Sequence, residues 1–188
     1  MKSQIKAIDT EYNGHLFRSR LEARWAVFFD NIGIEYVYEL EGYQLSNNVM
    51  YLPDFYLPSI DIHVEIKPSF DTITNQDIKK IVTFSSDCDE QLLLVIGVPS
   101  EHSMYMLNKH HIECYKDIDN PDVVSESGSL LNAFENTVCS YPQVDFSINP
   151  ITGLWGISYV TLRDDYSDCQ YRIAMKKAKQ ARFEYKKH

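Results

Sequence analysis

The stretch YLPDFYLPSIDIHVEIKP, residues 51–68, decides how this chain is read. Ile62, Val64 and Ile66 alternate with His63, Glu65 and Lys67, the period-two pattern of a half-buried strand, and Pro68 ends it. On such a strand Glu65 and Lys67 share one face, roughly 7 Å apart along the backbone, while Val64 and Ile66 point into the core. Asp54 precedes Glu65 by ten intervening residues. A tight connection through Pro58-Ser59 would bring Asp54 back beside Glu65, as a hairpin with an acidic mouth. Two like charges about 4 Å apart repel by about 4 kcal/mol at an effective dielectric of 20. Such a pair therefore needs a proton or a cation between them. The expected occupant is Mg2+ or Mn2+, held by Asp54, Glu65 and the main-chain carbonyl of Ile66. When bound, such an ion polarises a phosphoryl oxygen and acidifies a water. Lys67 is then placed to orient that water or to stabilise the charge that builds on phosphate oxygens.

Outward from this stretch, the sequence predicts a helix on one side and a helix and strand on the other. From Ser19 to Ile32 the residues Leu21, Trp25, Phe28, Phe29 and Ile32 recur at helical spacing, and Gly33 closes the run. On a helical wheel Glu22 falls beside Phe29, at the edge of the apolar face. A buried, unpaired glutamate costs several kcal/mol, so Glu22 is expected to face the metal, a water on it, or an arginine such as Arg18. Strands are predicted over Glu35–Leu40, Tyr51–Tyr56 and His63–Lys67, then a helix over Ile73–Phe84 capped by Thr72 or Thr74. The run LLLVIGV within Gln91–Val98 reads as a central strand covered on both faces. A further strand is expected near Ile112–Tyr115. This order implies an α/β or α+β fold with a mixed central sheet flanked by helices.

The conjunction of RSRLEARWAVFF, YLPDFYLP and HVEIKP resembles the PD-(D/E)xK nuclease superfamily, and is similar to small phage or mobile-element members and to the end-cleaving subunit of heteromeric transposases. The resemblance covers residues 14 to 98. It implies a restriction-endonuclease-like fold and magnesium-dependent phosphodiester hydrolysis, with Glu22 as the helix carboxylate, Asp54 as the motif aspartate and Glu65 and Lys67 as the ExK pair. The motif's strength lies in that conjunction, since a lone ExK arises by chance; Glu184-Tyr185-Lys186 is a second one, without meaning. The function this implies is a DNA endonuclease or nickase. Its rivals are a transposon end-cleaving subunit, which needs a recombinase or replication partner, and a non-catalytic DNA-mimic or inhibitory protein. A homodimer would supply the two sites of a double-strand break.

The chain has 188 residues and a net charge of -9, which by itself argues against a phosphate-rich partner. The distribution alters that. From Arg172 to His188 there are seven basic residues and one acidic, a local charge of +6, leaving -15 on the rest. This basic helix, with Lys176, Lys177, Lys179 and Arg182, is suited to grip a phosphate backbone, to dock on an acidic body, or to stay solvated. Its Tyr171, Ala174, Ala178, Ala181 and Tyr185 form a narrow seam for close packing. Arg18, Arg20 and Arg24 are candidates for phosphate contact or for neutralising nearby acids. Gln76, Lys79 and Lys80, on the helix after ExK, are candidates for phosphate contact or a solvated face. His63 reads as a bystander, and His110-His111 has no carboxylate at ligand spacing. Trp25 and the tyrosines Tyr36, Tyr38, Tyr43 and Tyr51 read as core.

Residues 1–115 are expected to form the nuclease core. Residues 116–188 are expected to add an acidic loop, a short helix over Leu130–Val138, a hairpin over Ile148–Thr161 and the basic C-terminal helix, packed on the core. Cys88, Cys114, Cys139 and Cys169 form no CxxC pair, which excludes a zinc-knuckle signature and reads as reduced, structural thiols. The opening MKSQIKAIDTEYNG lacks the apolar run of a signal peptide and no stretch has the length of a membrane span. A cytoplasmic protein without a membrane partner is the expectation.

Overall fold

The computed structural model describes residues 7–46, 48–88, 91–109, 129–140, 142–149, 151–160 and 169–183. The chain is mixed α+β, with a seven-stranded sheet at its centre. The strands among the described residues are β1 (Thr10–Tyr12), β2 (His15–Phe17), β3 (Val37–Tyr38), β4 (Tyr43–Gln44), β5 (Met50–Tyr51), β6 (Phe55–Leu57), β7 (Ile62–Lys67), β8 (Gln91–Val98), β9 (Glu101–Leu107), β10 (Val144–Ile148) and β11 (Trp155–Tyr159). The helices among the described residues are α1 (Arg20–Ile32), α2 (Asn75–Asp87), α3 (Leu130–Ser140) and α4 (Cys169–Gln180). A turn of 3-10 helix, Phe70–Thr72, precedes α2. Among the described residues, no helix is long and apolar enough to cross a membrane.

The central sheet runs in the order β11-β10-β9-β8-β7-β6-β3. Among the described strands only β7 and β8 pair parallel, from Ile62↔Gln91 to Lys67↔Ile96, because α2 lies between them in the chain and carries it back across the sheet. Alternation along these two strands sorts the core into two clusters. Val64, Ile66, Leu93 and Val95 face Trp25 and Phe28 of α1 and Ala174 and Ala178 of α4. Leu92 and Leu94 face Ile78, Ile81 and Phe84 of α2 and Phe134 and Val138 of α3. Helices therefore cover both faces, as the apolar run of β8 requires.

Local chemistry fixes the helix ends. Ser19 Oγ accepts the Glu22 N–H at 3.1 Å at the start of α1, and Gly33, with φ of 74°, takes the left-handed turn that stops it. At α2, Thr74 and Asp77 cap reciprocally. The alanine seam of α4 is buried against α1, with Ala174 and Ala178 fully covered.

Several expectations are corrected. The strand expected over Tyr51–Tyr56 is two: Met50–Tyr51 pairs with Tyr43–Gln44 in a separate ribbon, and Phe55–Leu57 joins the main sheet. Pro53 has no N–H to give a ladder, and the break falls on it and Asp54. Of Glu35–Leu40 only Val37–Tyr38 pairs, Glu39 having turned into the left-handed region at φ 49°. The strand expected at Ile112–Tyr115, the acidic loop and His110-His111 lie outside the described residues. The neighbour of β8 is β9, joined through Pro99-Ser100 with Val98 opposite Glu101. Strands β10 and β11 are a hairpin starting earlier than expected, and β10 pairs with β9 in the central sheet. Among the described residues Cys88, Cys139 and Cys169 form no disulfide, and Cys139 and Cys169 are exposed, not structural fillers of the core.

Candidate functional site

The break before β6 places the site. Because Phe55 pairs with Val64, Asp54 stands opposite Glu65 just before the ladder begins. Its Oδ2 accepts the Ile66 main-chain N–H at 2.7 Å. Glu65 Oε2 accepts the Tyr51 hydroxyl at 2.8 Å, and Glu65 Oε1 lies 2.9 Å from Lys67 Nζ. The short β4–β5 ribbon thus has a use, since it delivers Tyr51 to the carboxylate. Lys67 Nζ also donates to Asp77 Oδ1 at 3.1 Å, from the first turn of α2.

Glu22 enters from α1. Its Oε1 accepts the Ser19 hydroxyl at 2.6 Å, while Oε2 accepts the Tyr38 hydroxyl at 2.6 Å and the Arg18 N–H at 3.2 Å. The Arg18 guanidinium is not its partner; that group pairs with Glu39. Ser19 and Glu22 have the S-x-x-E spacing of a helix start, the signal that accounts for part of this burial without any ligand.

Asp54, Glu65, Lys67 and Glu22 all line one cleft of about 560 Å³, joined there by Arg18, Ile66, Asp77 and Lys80. Asp54 and Glu65 are buried, at 9% and 6% exposure. Burial holds the Asp54 carboxyl well above the usual carboxylate range, and the neighbouring charges of Glu65 and Glu22 push it further. Burial works against the Lys67 ammonium, but Glu65 and Asp77 outweigh it and raise its pKa. Burial and then Glu65 raise the Tyr51 hydroxyl, which stays protonated and donating. Asp77 is held below the usual range, burial being outweighed by hydrogen bonds from Thr74 and by Lys67.

This donor set fits a hard divalent cation. Two carboxylates stand together at one cleft, and a cation between them would offset the burial and the like charges that raise the Asp54 pKa. Among the described residues, no three His, Cys, Asp or Glu side chains group as a complete metal-binding set. Further oxygens would then come from the Ile66 main chain, from solvent or from phosphate, as suits magnesium.

The remaining candidates divide. Arg18 and Lys80 line the cleft. Gln76 and Arg20 are exposed elsewhere, and Arg24 is half-buried with an Nε that finds no hydrogen-bond partner among the described residues. On α4, Lys177 donates to Asn31 Oδ1 at 2.9 Å and Lys179 pairs with Glu101. Lys176 and Arg182 are exposed. His63 is buried among the rings of Tyr43, Tyr56 and Phe84 and does not line the cleft. Sequence reasoning missed Asp77, although T-x-x-D from Thr74 marks it, and missed Tyr51 and Tyr38, whose hydroxyl partners no spacing encodes. Set against family models, curated proteins and solved structures, the chain has no significant match.

Proposed function

We propose that the chain is a magnesium-dependent DNA endonuclease or nickase, built on a restriction-endonuclease-like core. The observation that carries this reading is the convergence on one cleft of Glu22 from α1, Asp54 from the break before β6, and Glu65 and Lys67 from β7. A structural ion pair would need only Glu65 and Lys67. Asp54 adds a second buried carboxyl whose ionisation burial and Glu65 oppose, a cost that function explains and stability does not. Asp54 and Glu65 hold the cation, Ile66 contributes main-chain oxygen, and Lys67 steadies the phosphate charge that develops during cleavage. Arg18 and Lys80 flank the same opening and bear on the incoming backbone.

The excess of acid over the rest of the chain favours one rival, a nuclease-like protein that binds a DNA-binding partner by mimicry. A single experiment separates them. Supercoiled plasmid is incubated with protein and Mg2+, with EDTA, and with Lys67→Ala. The wild type converts plasmid to nicked or linear form, EDTA stops it, and Lys67→Ala loses at least ~100-fold in rate while its circular dichroism spectrum is unchanged. Cutting that persists in EDTA and in the variant removes the proposal, and no cutting at all in Mg2+ or Mn2+ favours the mimic.

A further inference from the structure

Lys67 has two acidic partners, and only one of them belongs to the proposed metal set. Glu65 Oε1 lies 2.9 Å from the ammonium and Asp77 Oδ1 lies 3.1 Å from it. The two oxygens of Asp77 have separate uses. Oδ2 accepts the Thr74 N–H at 2.9 Å and the Thr74 hydroxyl at 2.5 Å, which locks the carboxylate plane in the cap of α2. Oδ1 is thereby left aimed at Lys67. The cap sits on a helix whose own face is buried by Ile78 and Ile81, so the aim is set by packing and not by a flexible surface side chain.

We propose that Asp77 is a positioning residue for the reaction: it keeps the Lys67 ammonium at the cleft when Glu65 turns its carboxylate to a cation. The proposal rests on the nuclease reading and deepens it. A carboxylate that coordinates a divalent ion gives up most of its attraction for a neighbouring ammonium. A flexible lysine with no second anchor then spreads over many rotamers. Asp77 supplies that anchor from outside the metal set, at a point the helix cap has already fixed. The chain's T-x-x-D capping signature at Thr74 therefore does two things, starting α2 and holding the ammonium.

The test is steady-state cleavage of a defined DNA duplex at saturating Mg2+ with three variants. Asp77→Asn keeps an acceptor for the Thr74 N–H but removes the charge; kcat falls about 10–100-fold, as for lost outer partners of a site, with KM within about twofold. Asp77→Glu restores both cap and charge, since glutamate is the usual residue there, and recovers most of kcat. Thr74→Ala removes the hydroxyl that donates to Asp77 Oδ2 but keeps the charge and the main-chain N–H that also holds that oxygen, so it lowers melting temperature while costing less than about threefold in kcat. Asp77→Asn with wild-type kcat overturns the proposal, and so does Thr74→Ala losing as much as Asp77→Asn, because helix fraying would then be the cause. A wild type that cuts nothing overturns the nuclease reading itself, and this role with it, whereas a cutting wild type with an indifferent Asp77 overturns only the latter.

Discussion

Asp54 is the residue at which the fold and the proposed function pull in opposite directions. In the metal-free protein its carboxyl holds a proton more tightly than an ordinary aspartate, because it is buried and faces Glu65 and Glu22. A pKa raised on folding means that the folded chain binds the extra proton. The associated stability is full below the ordinary value of 3.8 and is lost as pH rises through the folded value. Lys67 is raised in the same sense, but from an ordinary value of 10.5, so its contribution is complete at neutral pH and adds no slope there. Asp54→Asn keeps an oxygen for the Ile66 N–H and removes the repulsion. The variant is therefore expected to melt at a higher temperature than the wild type at pH 7.5 in EDTA. It should also lose cutting. Added Mg2+ should raise the melting temperature of the wild type and leave Asp54→Asn unmoved, as expected of binding that requires the ionised carboxylate. A variant less stable than wild type at that pH would show that Asp54 is a structural acid.

At the level of elements, what could be read from the chain depended on whether neighbours in sequence held the signal. α1 was legible from Ser19 to Gly33 because apolar spacing and both caps lie within it. β7 and β8 were legible because alternation and a continuous apolar run are local. The Asp54–Glu65 juxtaposition was legible too, since one short connection makes it. The pairings that complete the sheet were not. β9 carries Glu101, His102 and Ser103 at its start, and its place beside β8 is set by the turn at Pro99-Ser100, not by a hydrophobic pattern. The same turn makes Gly97 obligatory. Its φ is 104°, and a Cβ there would stand 2.3 Å from the main-chain oxygen of Glu101. Gly97 O also accepts the Trp25 indole N–H at 3.1 Å, so a shift of this strand end is felt in α1. Gly97→Ala is therefore expected to cost more than ~2 kcal/mol, read as a fall of at least ~4 °C in melting temperature. A change below 1 °C would mean that the β8–β9 turn relaxes freely.

Over the whole molecule, charge is segregated, and the segregation bears on the proposed binding of DNA. The body before Arg172 carries -15 and the remainder +6, so a nucleic acid approaching the acidic cleft needs a basic rail beside it. The placement of α4 meets part of that need. The β8–β9 turn lies beyond Ile96, the partner of Lys67, and so marks the end of the sheet where the cleft opens. Ser100 N–H donates to Met175 Sδ at 3.1 Å and Glu101 pairs with Lys179, which brings the second half of α4 to that same end. Its basic residues are not equivalent there. All four basic residues, Lys176, Lys177 and Lys179 of α4 and Arg182 just beyond it, are exposed, but Lys177 donates to Asn31 and Lys179 pairs with Glu101. If the helix guides DNA, Lys176 and Arg182 release counterions from the phosphates most freely. Each phosphate neutralised adds about 0.9 to the slope of log affinity against log salt. The double change Lys176→Ala with Arg182→Ala is then expected to lower that slope by about 1.8, raising KM and leaving kcat unchanged. Lys177→Ala with Lys179→Ala, whose ammoniums must leave Asn31 and Glu101 to reach a phosphate, should lower the slope by less and leave the melting temperature nearly unchanged, since exposed pairs stabilise little. Equal slopes for the wild type and the first double variant would show that α4 is a packing element whose charge serves the protein's own surface, and would assign the phosphate contacts to Arg18 and Lys80 at the cleft.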